Sequence, residues 1–176
     1  MKLTTLAACV AACALLSAPA FAQSPPQTTG IPPAHETLSA ADFVNNVVMR
    51  GMFDVQAARL AEQKGDQSDK IFAQREVSND TKMTSDIKSM ASSEKINASI
   101  PTSLTSEYQQ RIARLQKLSG KQFDEVYAND QLRDHENLTA LLDRYAKNGD
   151  NTALKQWASK TLPEVKQQLS EAAKLG

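Results

Sequence analysis

The chain has 176 residues, with 20 basic and 20 acidic side chains, two histidines and 41% hydrophobic residues. Balanced charge supplies no basic excess to displace counterions from a phosphate backbone, which excludes a nucleic-acid binder driven by bulk electrostatics. After Ala22 no apolar run approaches the ~20 residues of a membrane-spanning helix, and the length suits one domain.

Met1-Lys2 forms a short positive start, Leu3 to Ser17 an apolar stretch, and Ala20-Phe21-Ala22 a small-x-small site before Gln23. This is the pattern of a bacterial secretory signal, and it predicts cleavage near Ala22 and a periplasmic or secreted protein. Val10-Ala11-Ala12-Cys13 also resembles a lipobox, so a lipid anchor at Cys13 is the alternative, ranked below ordinary cleavage because the apolar run continues to Leu16. Cys9 and Cys13 are the only cysteines. The mature chain would then carry no disulfide, thiolate metal site or cysteine nucleophile. Residues 23–38, rich in Pro, Gln and Thr and holding His35, read as an extended lead-in to a domain over 39–176.

Ser39 followed by Asp42 is a capping-box variant that predicts the start of the first helix. Phe43, Val44, Val47, Val48, Met52, Val55 and Leu60 recur at spacings of three and four, carrying the helix to about Lys64 before Gly65. Gly51 inside this pattern lowers helix propensity, so close packing against a neighbouring helix is its expected reason. A second helix, capped by Ser68, carries Phe72, Val77, Met83, Ile87 and Met90 and runs to about Ser93. Residues 94–104, with Asn97 and Pro101, read as a loop. A short third helix covers 107–118, with Ile112, Leu115 and Leu118. The fourth, 122–147, presents Phe123, Val126, Tyr127, Leu138, Leu141, Leu142 and Tyr145. The last, capped by Asn151, buries Leu154, Trp157, Ala158, Leu162, Val165 and Leu169, and Pro163 is expected to kink it or restart it after Leu162. Gly65, Gly120 and Gly149 are read as helix terminators able to adopt positive φ.

Four long helices and one short one predict an all-α fold: a ferritin-like antiparallel four-helix bundle with the short helix in the long crossover between the second and third long helices. Polar residues that interrupt the apolar stripes are the informative ones, because a buried carboxylate or imidazole needs a partner or a ligand. Glu76 and Asp80 on the second helix, with Asp134 and His135 on the fourth, fall near mid-helix on elements that can face each other. They read first as a hydrogen-bonded polar layer or as partly exposed edges of the apolar stripes, with no cofactor. In the alternative they are a metal or small-ligand site with His135 as nitrogen donor. Carboxylate-bridged di-iron bundles need paired Glu-x-x-His motifs, and none occurs here. No Gly-x-Ser-x-Gly elbow, phosphate loop, dinucleotide fingerprint or His-Glu-x-x-His is present either. Trp157 and the methionines at 49, 52, 83 and 90 read as core packing.

The ordered set Phe43-Val44, Gly51-Met52, Phe72-Ala73-Gln74-Arg75, Leu118-Ser119-Gly120, Asp134-His135 and Trp157-Ala158, with Thr161-Leu162-Pro163, resembles the bacterial family called domain of unknown function 4142 over roughly 42–175. The resemblance implies an exported, ferritin-like helical bundle, often labelled an outer-membrane protein, with no established activity. An integral barrel conflicts with a helical chain lacking a span. The family's pattern commonly has histidines where this chain has Asp80 and Gln168, besides the one matching His135. Two of three imidazoles are therefore replaced here.

The expected function is that of a non-enzymatic envelope interaction or stress-tolerance protein, with an envelope protein or small ligand as partner. A metal or small-ligand binder is the alternative. A metal-dependent oxidoreductase ranks last.

Overall fold

The computed structural model describes residues 38–176. The signal segment, Cys9, Cys13, His35 and nearly all of the lead-in lie outside the described residues. Within them the chain forms five helices and no strand: α1 (Ala40–Lys64), α2 (Gln67–Ser93), α3 (Ser106–Lys117), α4 (Lys121–Asn148) and α5 (Thr152–Ala172). This is the expected all-α bundle.

α1 begins as its sequence predicts. Ser39 Oγ accepts the Asp42 amide at 3.1 Å and donates to the Asp42 carboxylate at 2.6 Å. α2 starts one residue before Ser68, and its cap is Asp66, which accepts the Asp69 amide at 2.9 Å while Ser68 Oγ donates to it at 2.8 Å. A carboxylate two residues earlier outcompetes the hydroxyl for the orphan amides of the first turn. α5 runs through Pro163 without a break. Ser159, whose carbonyl loses its usual partner, lies on the same exposed face as Pro163, so water can satisfy it.

Only Gly120 among the three glycines read as terminators has a positive φ, at 56°, and it introduces α4 instead of merely closing α3. Gly65 and Gly149 are extended, with φ of −65° and −63°. Space makes them glycines. A Cβ on Gly65 would sit 2.7 Å from the Asp69 Cβ, and one on Gly149 would sit 2.5 Å from the Tyr145 ring.

α1 packs chiefly on α2 and α4 on α5, giving two hairpins that face each other through α1–α4 and α2–α5. Polar contacts fix the directions. The Asp66 amide, at the turn leaving α1, donates to Asp124 in the first turn of α4 at 3.2 Å. At the other end Asn151, which caps α5, reaches Glu94, which ends α2, at 3.5 Å. α4 therefore runs antiparallel to α1 and α5 antiparallel to α2. The crossover must return the length of the bundle, and α3 fills it, packing on α1 and α4. Lys64 Nζ holds the end of α3 by donating to the carbonyls of Gln116 at 2.5 Å and Leu118 at 3.2 Å.

The apolar core is in two parts. One gathers Phe43, Val44, Val47, Ile87, Leu142 and Tyr145 with their neighbours. The other is built on Phe53, Phe72, Leu115, Phe123 and Tyr127. The apolar stripe of α1 differs from its sequence reading in the second half. Met52, Val55 and Leu60 are only half-buried, and the inward positions are Phe53, Asp54, Ala57, Ala58 and Ala61. Close approach explains this. A Cβ on Gly51 would collide with the Thr84 hydroxyl of α2, so the interhelical seam takes small side chains and displaces large ones to its edges.

Candidate functional site

Between the two apolar clusters lies a buried polar layer. Glu76, Asp80, Asp134 and His135 are each 1–2% exposed, so all four interrupting residues of the sequence reading are interior. The layer also contains residues that reading missed: Arg50 and Asp54 from α1, Arg111 from α3, and Asp130 and Gln131 from α4. Asp54 lies seven residues after Val47 and four before Ala58, a core position that the larger Met52 and Val55 obscure.

The four predicted residues divide between two constellations. His135 Nε2 lies 2.9 Å from Glu76 Oε2, and its Nδ1 donates to the Gln131 carbonyl at 2.9 Å. Phe72 meets the imidazole edge-on, 5.8 Å between ring centres. Burial alone pulls the imidazole pKa down, but the contact and charge of Glu76, aided by Asp54, carry it up to about 9. His135 is thus an imidazolium on a buried carboxylate at neutral pH.

Asp134 belongs to an arginine clamp. Arg111 grips it with two nitrogens at 3.2 and 2.6 Å, and Arg50 approaches at 3.2 Å. Arg111 also reaches Asp130 at 3.2 Å, and its guanidinium lies 4.0 Å from the Phe53 ring centre and 5.2 Å from that of Tyr108. Bidentate and stacked geometry is what the planar guanidinium provides and an ammonium does not. The clamp pins the crossover helix to the bundle.

At Asp80 and Asp54 the surroundings favour the protonated carboxyl. Burial first, then the charges of Asp54, Glu76 and Asp134, and a hydrogen bond with Glu76 push the Asp80 carboxyl well above the usual range. Burial and the Asp134 charge push Asp54 up to about 8. Several buried atoms here have no hydrogen-bond partner: Asp54 Oδ1, Asp80 Oδ2, the Tyr127 hydroxyl and both amide atoms of Gln131. Gln168, the other position where the family pattern implies a histidine, is buried on α5.

The layer can hold protons and opposite charges, but its groups are turned to one another. Among the described residues no three of His, Cys, Asp and Glu converge on a point that would hold a metal ion. A groove between α1 and α2 and a smaller cleft between α2 and α5 open on the surface, and neither is lined by Glu76, Asp80, Asp134 or His135. Trp157 and Met83 pack in or against the first apolar cluster, as their spacing predicts. Among the described residues no helix is long and apolar enough to cross a membrane.

No curated protein and no solved structure matches the chain. The family model described as domain of unknown function DUF4142 matches residues 24–175, the whole bundle and most of the segment before it. By that match and the residues that first suggested it, the chain belongs to the DUF4142 family.

Proposed function

We propose that the chain is an exported, ferritin-like bundle that acts in the cell envelope through its surface, without catalysing a reaction. One observation carries the non-catalytic reading: the groups able to do acid-base or ligand chemistry are buried and shut away from both surface clefts, His135 on Glu76 and Asp134 on Arg50 and Arg111. A general acid or base must come within hydrogen-bond reach of a substrate proton, and this layer presents none. Export is supported by the residues before Gln23, and the ferritin-like description by the long crossover and the antiparallel α1–α4 and α2–α5 pairs.

Mass spectrometry of the chain from an envelope fraction is the test of export. A mature N-terminus at Gln23 is expected, a lipidated Cys13 would move the protein to a membrane anchor, and an intact Met1 in the cytoplasm would overturn export. Protein prepared from the same fraction without a histidine tag is expected to contain no stoichiometric metal.

The second reading, a metal or small-ligand binder, is favoured by the unpartnered oxygens of Asp54 and Asp80 and the free Gln131 amide in the buried layer. It requires those side chains to turn toward a shared point. It predicts bound metal after native purification, lost on His135→Ala, and such a result would replace the first reading.

A further inference from the structure

α3 covers the seam between α1 and α4, while the seam between α1 and α2 is open on its outer side as a groove of about 460 Å³. That volume suits a small molecule. Its floor is Gly51, where a Cβ would meet the Thr84 hydroxyl. Thr84 Oγ1 is itself shut from bulk solvent and has no hydrogen-bond partner, although a helical threonine ordinarily has its own i−4 carbonyl within reach. Half-buried Met52 and Val55 form an apolar wall, and the exposed hydroxyls of Thr81 and Ser85 border the opening.

The charge of the groove is one-sided. Arg59 and Lys88 line it and no acidic residue does, in a chain with 20 residues of each sign. Neither cation forms an ion pair with a described residue, whereas Arg50, Arg75, Arg111 and Arg133 all do. The two cations stand at opposite ends. Gly51 faces Thr84 across an antiparallel pair, so the eight residues from Gly51 to Arg59 and the four from Thr84 to Lys88 lead in opposite directions. At 1.5 Å per residue their Cα atoms are roughly 18 Å apart along the groove.

We propose that this groove binds an elongated organic dianion, two carboxylates joined by a short, largely apolar chain, with Arg59 and Lys88 each taking one carboxylate and the Met52–Val55 wall lying along the middle. The inference is independent of the envelope role. The guanidinium end favours a planar, bidentate acceptor, and the Met52–Val55 wall favours methylenes over a compact inorganic ion.

Calorimetric titration of the full bundle at low ionic strength with linear dicarboxylates of four to ten carbons tests it, with octanoate and inorganic phosphate as controls. A single optimum of chain length within this series, with a Kd below about 1 mM, is expected, and at least tenfold weaker binding of both controls. Arg59→Gln/Lys88→Gln should weaken the best diacid at least tenfold. Neither side chain pairs with a described residue, so far-ultraviolet circular dichroism and the thermal midpoint should stay unchanged. No diacid binding, equal binding of octanoate or phosphate, or undiminished binding by the folded double variant would each overturn the proposal.

Discussion

His135 and Glu76 depend on each other because each is a charge buried at 2% exposure or less. Truncating one partner of such a pair leaves the other desolvated and unmatched, which costs about 3–5 kcal/mol. His135→Ala is therefore expected to lower unfolding free energy by that amount in urea titration, and His135→Ala/Glu76→Gln to recover a substantial part of it. Independent, additive losses would show that the contact carries no coupling. Asp54 makes a prediction about protons. Its folded pKa of about 8 lies above the unfolded value near 3.9, so the native state keeps a proton that the unfolded chain gives up. The stabilisation is fully present below about pH 4 and is lost as pH rises to about 8, with a slope of about 1.4 kcal/mol per pH unit. His135, raised to about 9 from an ordinary 6.5, works in the same direction between those two values. Asp69 adds to the trend, since burial and the charges of Asp66 and Asp124 push it up to about 7. Asp54→Asn should flatten the decline between pH 5 and 8 by about one proton. An unchanged slope would mean that Asp54 ionises freely in the folded chain.

At the scale of the element, Gly51 sets how closely α1 approaches α2. Gly51→Ala would improve helix propensity by about 1 kcal/mol yet force a methyl against the Thr84 hydroxyl. Net destabilisation of about 1–2 kcal/mol is expected, and Gly51→Ala/Thr84→Ala should reverse it, because the second change removes the obstructing oxygen. Equal destabilisation in both backgrounds would locate the fault elsewhere. Pro163 offers the opposite case. It removes one hydrogen bond from the unbroken α5 on an exposed face, so Pro163→Ala restores that bond and should raise the thermal midpoint, with a gain of about 1–3 kcal/mol. Helix existence and ends were largely legible in sequence, since caps and spacing are local properties: Ser39, Asn151 and the apolar residues of α4 behave as read. The inward face of α1 was less legible. Periodicity weights large residues, whereas the seam at Gly51 selects small ones, so Ala57, Ala58 and Ala61 face inward while Met52, Val55 and Leu60 stand half-buried at its edges.

For the molecule as a whole, the polar layer divides the apolar core, and whether the halves melt together depends on the ion pairs spanning it. Arg50, Asp134 and Arg111 connect α1, α4 and α3, while Glu76 and His135 connect α2 to α4. These links predict one cooperative transition. Trp157, the only tryptophan, packs edge-on to Phe43 at 6.0 Å against one apolar cluster. Its fluorescence midpoint in urea should therefore coincide with that of far-ultraviolet circular dichroism. Separate midpoints would show the layer to be a boundary between two folding units.

The sequence by itself determined the helical class, the approximate span of each helix and the four polar interruptions Glu76, Asp80, Asp134 and His135, because capping, periodicity and pattern breaks act over a few residues. Only the tertiary structure decided their partners. Asp134 was drawn to Arg50 and Arg111, from a helix before it and from the crossover, while His135 beside it in the chain turned to Glu76. Adjacent residues on a helix point about 100° apart, so neighbours in sequence face different elements, and the charge that meets each one depends on which helices the crossover brings alongside.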